Sequence, residues 1–406
     1  MIEKTNEGCR LIRHYVEEIS IFKPQAEFFE QSSDNIWEKV CKCVKEVASG
    51  VPNNKIMGIG FDATCSLVLL DKHFQPLSVS PSKNNNQNII MWMDHRAKAE
   101  ADFINTHKHD ILNYVGGKVS LEMEIPKLLW LKKNMIDTFQ KIHVAFDLPD
   151  FLTWRSTGQM SRSICSLNCK WNYDSVNQKW PVDYFKMIGL SELTENNFSI
   201  IGSKVLFPGD RVGELTENAA KSMGLKAGTP VACSMIDAHA GALGLIASRS
   251  EIPGNDLTSK LILIAGTSTC HMSVTKECIF SPGIWGPYKH ALLPDYHLIE
   301  AGQSAAGILI DTLVKSHSDY SEILGGLIEG DNIYDHLYNG IQKMAKSRNL
   351  KSVHELSKNF HIYPDFHGNR SPIGDSSLKG MICGLSMHDS IFITYLAVIQ
   401  SLGKKI

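Results

Sequence analysis

The chain has 406 residues, of which 43% are hydrophobic and 21% charged, with 41 basic and 43 acidic side chains and a formal net charge of −2. This length predicts two domains, and the composition is typical of a soluble globular protein. The balanced charge argues against a nucleic-acid partner and against an anionic membrane surface, and no apolar run approaches the ~20 residues of a membrane span. We therefore expect a small-molecule ligand.

The first 18 residues mix charges with apolar residues and lack the apolar core of a signal peptide. The ten cysteines are scattered, and the close pairs Cys41/Cys43 and Cys165/Cys169 have neither CxxC nor zinc-ribbon spacing. They read as reduced thiols, which favours a cytoplasmic protein.

The first half of the chain alternates predicted strands and helices. Residues 11–22 predict a strand, and an amphipathic helix follows from about Ser32 to Gly50. The segment KIMGIGFD predicts a strand that ends at Asp62, and TCSLVLLD predicts the next one. After a polar loop, residues 88–96 predict a short strand that contains Trp92, Asp94 and Arg96.

Further along, residues 124–134 predict a helix, and DLPDFLTWRSTG predicts another that Gly158 ends. Residues 163–174, SICSLNCKWNYD, predict a loop region that holds Lys170. Another helix begins at Thr216.

Residues 228–244, GTPVACSMIDAHAGALG, contain a strand-like run, Val231 to Ile236, that stops at Asp237 where a helix begins. A carboxylate between a buried strand and a helix N-terminus is a common place for chemistry in α/β proteins. A helix N-cap is an equally good interpretation of Asp237 from this stretch alone.

The second half begins after a linker-like segment, residues 248–260, where we place the domain boundary. KLILIAGTSTCHMSV predicts two strands whose connection, Gly266–Thr269, either cradles a phosphate or is a simple hairpin turn. In YHLIEAGQSAAGILIDTLVK a strand, a turn from Glu300 to Gly307 and a helix follow, so backbone N–H groups there could also face an anion. No GxxxxGK[ST] loop is present, which argues against a Walker-type NTPase. The alternating pattern predicts an α/β fold.

Single residues are weaker signals. Asp94 and Arg96 either form a pair that holds a polyol or a surface salt bridge worth little. Most lysines are simply solvated, and this is the default for Lys170. The histidines have no metal-ligand spacing, and His239 is expected to pack or to hydrogen-bond. We expect no metal site made by the protein alone.

Taken together, ten segments in order resemble the FGGY carbohydrate kinase family, and most closely its ribulokinase-like members. They cover nearly the whole chain: GIGFDATCSLVLLD, NIIMWMDHRA, PKLLWLKKN, FDLPDFLTWRSTG, CSLNCKWNYD, SMIDAHAGALG, AGTSTCHM, IWGPY, EAGQSAAG and PDFHGNRSP. The resemblance implies an α/β fold of two actin/Hsp70-like (ribonuclease H-like) domains around a cleft. Residues 1–250 would mainly bind sugar and residues 259–406 mainly ATP.

The resemblance also implies roles for individual residues. Asp237 would be the base that takes the proton from the attacking sugar hydroxyl, kept ionised by the helix N-terminus behind it. Mg²⁺ would arrive with ATP, and the substrate would be a ketopentose, with ribulose favoured over glycerol or gluconate. The oligomeric state stays open. The sugar would be bound by Asp62, Ala63, Thr64, Trp92, Asp94, Arg96, Lys170 and Glu300, and ATP by Gly266, Thr267, Ser268 and Gly307.

Two parts of the family pattern have no counterpart in these 406 residues. These are the first strand with its Asp-x-Gly-Thr loop and the late Gly-Gly motif that holds adenosine. We therefore expect both domains to be incomplete, in a fragment or splice form of an active kinase. The alternative is a non-catalytic sugar-binding or regulatory protein that lost nucleotide handling. An actin-like or Hsp70-like ATPase acting on proteins is disfavoured, because the sugar-pocket segments would then have no role.

Overall fold

The computed structural model of the chain describes residues 1–6, 8–248, 256–387 and 389–404. Contacts divide it into two compact units, Met1–Thr258 with Val274–Ile299, and Ser259–Ser273 with Glu300–Ile406. The predicted linker at 248–260 includes residues 249–255, which lie outside the described residues. The domain boundary between 250 and 259 stays a prediction.

Helices occur in both units. In the described residues, the first unit contains α1 (Ser33–Ala48), α2 (Lys98–Ile104), α3 (Glu124–Asn134), α4 (Ile136–Phe139), α5 (Leu148–Thr157), α6 (Ile164–Lys170), α7 (Val182–Met187), α8 (Glu217–Met223) and α9 (Asp237–Ile246). The second contains α10 (Gly307–Lys315), α11 (Tyr320–Gly325), α12 (Ile333–Ser347) and α13 (Ile391–Gly403). Short 3₁₀ turns cover Asn53–Lys55, Asp110–Tyr114, Ser191–Thr194, Leu257–Ser259 and Val353–Ser357. No helix among the described residues is both long enough and apolar enough to cross a membrane. A cytoplasmic location stays a prediction.

Strands are short throughout. The first unit holds β1 (Ile2–Thr5), β2 (Gly8–Leu11), β3 (Glu30–Gln31), β4 (Asp62–Ala63), β5 (Leu67–Leu70), β6 (Ile89–Ile90), β7 (Val144–Asp147), β8 (Ser161–Ser163), β9 (Lys204–Leu206), β10 (Arg211–Glu214), β11 (Pro230–Ala232), β12 (Met235–Ile236) and β15 (Trp285–Lys289). The second unit holds β13 (Ile262–Ala265), β17 (His361–Tyr363) and β18 (Met381–Cys383), while β14 (Thr269–Thr275) and β16 (His297–Gln303) run from one unit into the other.

The main sheet of the first unit has the order β3-β6-β5-β7, with every neighbouring pair antiparallel. Its strand β5 is four apolar residues with almost no exposure, which is the pattern of a strand buried on both faces. Helices α1, α5 and α8 supply apolar side chains to the core that covers this sheet. The sheet therefore gives the first unit a rigid base.

Several predicted helices are confirmed, and their ends follow local chemistry. Helix α5 ends at Gly158, which adopts the left-handed conformation with φ of 72°. Helix α8 begins after Thr216, whose side-chain oxygen accepts the N–H of Ala219.

The strand predicted for residues 11–22 is wrong, because β2 ends at Leu11 and residues 12–21 have no regular structure. Side chains hold this segment instead of a strand ladder. The Glu17 carboxylate lies 3.3 Å from the Lys39 ammonium and 2.6 Å from that of Lys42, both on α1.

The loop predicted for residues 163–174 is also wrong, since most of it forms α6. Ser163 caps this helix by accepting the N–H of Cys165. Every residue of α6 is buried, so packing outweighs the weak helix propensity of a segment rich in Ser, Cys and Asn.

The second unit begins with the hairpin of β13 and β14, which pair in antiparallel register from Ile262–Met272 to Ala265–Thr269. The two strands predicted from KLILIAGTSTCHMSV are thus confirmed. Helices α10, α12 and α13 pack around an apolar cluster that includes Val314, Leu337 and Ile391.

Candidate active site

Asp237 lies at the carboxyl end of a pair of parallel strands. Strand β12 pairs with β4 in the register Met235–Asp62 and Ile236–Ala63. Carboxyl ends of parallel strands meet at one edge of a sheet, which is where α/β folds place ligands. Asp62 and Ala63 lie on the strand beside the one that leads to Asp237, but the strand predicted to end at Asp62 is wrong, because β4 begins at that residue.

Asp237 is the first residue of α9 and not its N-cap. The N-cap position is Ile236, and no side chain caps the helix there. The Asp237 Oδ1 atom accepts the N–H of the next residue, Ala238, at 2.7 Å, while the side chain remains exposed. The N-cap interpretation is thus wrong by one position, and the carboxylate stays open to a ligand.

The two carboxylates at this edge influence each other. Surrounding protein atoms raise the pKa of Asp62, and the negative charge of Asp237 raises it further. The Asp62 side chain is nevertheless exposed. Negative charge at an exposed strand edge suits hydroxyl donors and cations.

The predicted strand Val231–Ile236 is interrupted, forming β11 and β12 with a break at residues 233–234. Ser234 explains the break, because its Oγ atom donates to the Asp150 carboxylate at 2.8 Å and its carbonyl accepts from the Ser163 hydroxyl at 2.7 Å. These bonds anchor the start of α6 next to the strand that leads to Asp237.

Lys170 lies at the end of α6 and is buried, at 5% exposure, so the default of a solvated lysine is wrong. Its ammonium group lies 4.6 Å from the centroid of the Trp285 ring. Cys165 of the same helix contacts the Nδ1 atom of His239 on α9 at 3.1 Å. His239 is thus a buried hydrogen-bonding residue, as predicted, and it ties the helix of Lys170 to the helix of Asp237.

Asp94 and Arg96 form a buried pair, so the surface salt-bridge interpretation is wrong. Arg96 donates to both oxygens of Asp94, at 2.8 and 2.7 Å, to Glu30 at 2.8 Å and to the Val79 carbonyl at 2.9 Å. Asp94 also accepts the N–H of Phe29 at 2.6 Å. The three charged side chains are fully buried. A role in holding a polyol stays a prediction for this pair.

Two further predicted sugar ligands, Thr64 and Trp92, are half-buried in the first unit. The Thr64 and Ser66 hydroxyl oxygens lie 3.3 Å apart. Glu300 is buried on β16, in the second unit.

The predicted phosphate turn joins β13 to β14, which confirms the hairpin. Gly266 and Thr267 are exposed at its tip. The Thr267 carbonyl accepts the N–H of Ala306 and the Gly266 carbonyl accepts that of Gly307, each at 2.9 Å, and Thr267 also accepts the N–H of Ile308 at 3.4 Å. The N–H groups that open α10 are therefore directed at the turn, and the prediction that they face an anion is wrong.

Gly307 is needed for this close approach. A Cβ atom there would lie 2.6 Å from the Gly266 carbonyl oxygen, a distance that side chains do not tolerate. The residue thus fixes α10 against the turn, while its predicted contact with ATP stays a prediction.

We expect Gly307→Ala to push α10 away from the turn and to destabilise the second unit by about 1–3 kcal/mol, the usual cost of overpacking. Hydrogen exchange of the α10 amides measures this directly. Gly325→Ala is the matched control, because a Cβ at that helical position meets nothing within 4 Å. Equal exchange in the two variants would contradict the steric argument.

Five buried charged residues near the site were given no role in the sequence analysis. Asp147 ends the otherwise apolar strand β7 and Asp150 lies in the first turn of α5, so the strand-then-carboxylate signal used for Asp62 and Asp237 could have found them. Burial chiefly raises the pKa of Asp147 to about 6, that of Asp150 to about 7 and that of Glu124 to about 8, and lowers that of Arg162 to about 10. Lys127 lies 3.3 Å from Glu124.

Asp150 connects elements of the site, because its Oδ1 atom accepts both the Ser163 N–H at 2.9 Å and the Ser234 hydroxyl. Its folded pKa lies above the value of about 4 expected in the unfolded chain. The folded state therefore binds more protons between about pH 4 and 7, and the stability contributed by this group is lost as pH rises through that window.

We expect Asp150→Asn to reduce the fall in unfolding free energy across pH 5–7 by up to about 1.4 kcal/mol per pH unit, since the amide keeps the acceptor but does not titrate. All seven tryptophans lie in the first unit, so urea unfolding followed by tryptophan fluorescence reports on it. Asp102→Asn, an exposed carboxylate, should keep the wild-type slope. An unchanged slope in Asp150→Asn would show that this carboxyl is ionised throughout.

The fold matches that of solved sugar kinases. A xylulose kinase from Rhodospirillum rubrum superimposes with a TM-score of 0.72 at 16% sequence identity, covering 94% of this chain and 70% of that one. The predicted fold class, α/β with two actin/Hsp70-like domains, is confirmed.

The chain belongs to the FGGY family of carbohydrate kinases. The family's N-terminal domain matches residues 4–244 and its C-terminal domain matches residues 261–405. The predicted resemblance and the predicted enzyme class, a carbohydrate phosphotransferase, are thus confirmed.

Two relatives illustrate the similarity. An FGGY carbohydrate kinase domain-containing protein of Xenopus laevis is 46% identical over 396 residues, which are 95% of this chain and 71% of the relative. A D-ribulokinase of Saccharomyces cerevisiae is 38% identical over 410 residues, covering 93% of this chain and 57% of the relative.

Proposed function

We propose that this carbohydrate kinase transfers the γ-phosphate of ATP to a hydroxyl of a ketopentose, with ribulose as the best candidate. The observation that carries the proposal is the position of Asp237. It is an exposed carboxylate at the carboxyl end of the β4/β12 pair, anchored on α9 and next to Asp62.

Asp237 would orient the sugar hydroxyl by accepting its hydrogen bond and would take its proton as the bond to phosphorus forms. Phosphoryl transfer depends mostly on positioning and charge stabilisation, so a single well-placed carboxylate can serve as the base for the sugar hydroxyl. The bonds from Ser234 to Asp150 and Ser163 supply the rigidity that such positioning requires.

Lys170 would contact the hydroxyls or the carbonyl of the sugar. Its ammonium group is held against Trp285 at the end of a helix that Ser163 and Cys165 tie to the Asp237 segment. A buried ammonium makes a directional donor, because few water molecules compete with the ligand for it.

Mg²⁺ fits the donors at this edge. Proteins hold Mg²⁺ through one or two carboxylates together with substrate phosphates, and Asp62 offers an exposed carboxylate that the negative charge of Asp237 also influences. Asp62 would hold the ion, and the bound ion would supply charge neutralisation for the phosphates. Gly266, Thr267 and Ser268 would contact the ATP phosphates from the second unit.

The choice of a ketopentose is supported by the similarity to the yeast D-ribulokinase. The segments CSLNCK, IDAHA and EAGQS, which resemble those of ribulokinase-like family members, support the same choice.

An assay of ADP release with Mg-ATP over a panel of pentuloses, pentoses and polyols tests the proposal. We expect ribulose to give the highest kcat/KM, with xylulose next and glycerol and gluconate near background. Faster turnover of a polyol or an aldose would contradict the substrate assignment. Ribulose binding in calorimetry without ADP release from any sugar would favour the non-catalytic alternative.

A further inference from the structure

The segment PDFHGNRSP, residues 364–372 in the second unit, has no role in the proposed mechanism, yet buried hydrogen bonds hold it in place. Gln303 of β16 donates to the Pro364 carbonyl at 3.0 Å, and Asn369 donates to the Asp365 carboxylate at 2.8 Å. Gln303, Asp365 and Asn369 are all buried. Buried polar networks of this kind fix one conformation of a loop.

The network fixes the loop that carries Arg370, and the structure leaves room for this side chain. A Cβ atom on Gly302 of β16 would lie 3.2 Å from the Nη1 atom of Arg370 and 3.5 Å from its Cδ. The same Cβ would lie 2.6 Å from the Thr269 carbonyl oxygen. Gly302 therefore allows β14 and the arginine side chain to approach β16 together.

Arg370 reaches the strand that follows the predicted phosphate turn. Its Nη1 atom lies 3.8 Å from the sulfur of Cys270, which is two residues beyond Ser268 at the end of the turn. Two residues of extended strand span only about 7 Å. The guanidinium thus lies beside the strand that leaves the turn, no more than two residues along the chain from Ser268.

The turn itself offers hydroxyls and backbone N–H groups but no cationic side chain. Polyphosphates carry several negative charges, and proteins that bind them combine backbone N–H groups with an arginine or lysine. Arg370 is placed to supply the charge that Gly266, Thr267 and Ser268 lack.

We propose that Arg370 binds the polyphosphate of the nucleotide at this turn. The assignment rests on the proposed function, since it requires ATP to be bound by the second unit. Arginine suits the role because its planar guanidinium makes two parallel hydrogen bonds to phosphate oxygens, which lysine cannot reproduce.

The test is calorimetric titration of Arg370→Ala with ATP, ADP and adenosine. We expect ATP affinity to fall about 10- to 100-fold, as for loss of a charge-assisted hydrogen bond, and adenosine affinity to stay at the wild-type value. Millimolar guanidinium ion should restore part of the ATP affinity and turnover of this variant, and it should not increase either quantity in the wild type. A purely structural role would lower the affinities for ATP and adenosine together and would not respond to guanidinium.

Two further variants complete the design. Arg348→Ala removes an exposed arginine after α12 in the same unit and should leave all three affinities unchanged. Arg370→Lys keeps the charge but loses the planar guanidinium. Its ratio of ATP affinity to adenosine affinity should lie between those of the wild type and Arg370→Ala, and this variant tests the assignment if Arg370→Ala does not fold.

Wild-type ATP affinity in a folded Arg370→Ala, or equal losses for ATP and adenosine, would overturn the assignment. If the wild-type chain binds ATP but phosphorylates no sugar, the proposed function fails and the assignment of Arg370 stands on the binding data. If the wild-type chain binds no ATP, both fail.

Discussion

Asp237→Asn is expected to lower kcat by a factor of about 10²–10⁴, the range that general-base catalysis contributes, with ribulose still bound. Asparagine preserves the shape and the acceptor oxygen that takes the Ala238 N–H at 2.7 Å. It cannot accept the proton of the attacking hydroxyl. Because the change affects the transition state more than the bound substrate, kcat and kcat/KM should fall by similar factors.

Removal of the Asp237 charge also changes its neighbour. The pKa of Asp62 should move down toward its ordinary value, because the second of the two causes that raise it is gone. Single-turnover ADP release with and without ribulose measures the loss of chemistry, and calorimetry with ribulose measures binding. Asp102→Asn, on the surface of α2, is the matched control and should keep full turnover. Undiminished turnover in Asp237→Asn would overturn the assignment of the base.

The position of Asp237 between a strand and a helix could be predicted from the sequence because the signal is local. An apolar run, an Asp and an Ala/Gly-rich helix occur in consecutive residues, and a parallel strand pair needs nothing more to place Asp237 at its carboxyl edge. Asp62 is different, because β4 begins at this residue and pairs it with Met235, two residues before Asp237.

What the sequence could not predict depends on contacts between distant segments. Residues 163–174 are rich in Ser, Cys and Asn, which have weak helix propensity, so burial and the contact with the Asp237 segment explain why most of them form α6. The direction of the N–H groups before α10 depends on a turn some 40 residues earlier in the chain, which no local pattern reveals.

Arg96 shows the same limit. The spacing of Asp94 and Arg96 suggested a pair, but Glu30 lies 66 residues away and turns that pair into a fully buried cluster of two carboxylates and one guanidinium. Burial changes the expected cost of losing Arg96. Loss of an exposed ion pair changes the free energy of unfolding little, whereas loss of one partner of a buried pair leaves an uncompensated charge in the core.

Arg96→Met should therefore destabilise the first unit by about 3–5 kcal/mol. Burial already raises the pKa of Glu30 while Arg96 opposes the rise, so loss of the guanidinium should raise that pKa further. A carboxyl whose folded pKa is raised contributes stability that is lost as pH rises. The destabilisation should accordingly be larger at pH 8 than at pH 5, measured by urea unfolding with tryptophan fluorescence.

The matched control is Arg155→Met, which removes an exposed arginine 3.8 Å from Asp34 and should cost less than about 1 kcal/mol at either pH. A second substitution separates charge from packing, since the Arg96 guanidinium also lies 4.0 Å from the Phe28 ring centroid. Glu30→Gln in the Arg96→Met background removes one orphaned carboxylate and should recover part of the lost stability, although each change alone destabilises. If the double variant is less stable than Arg96→Met at pH 8, packing and not uncompensated charge determines the cost.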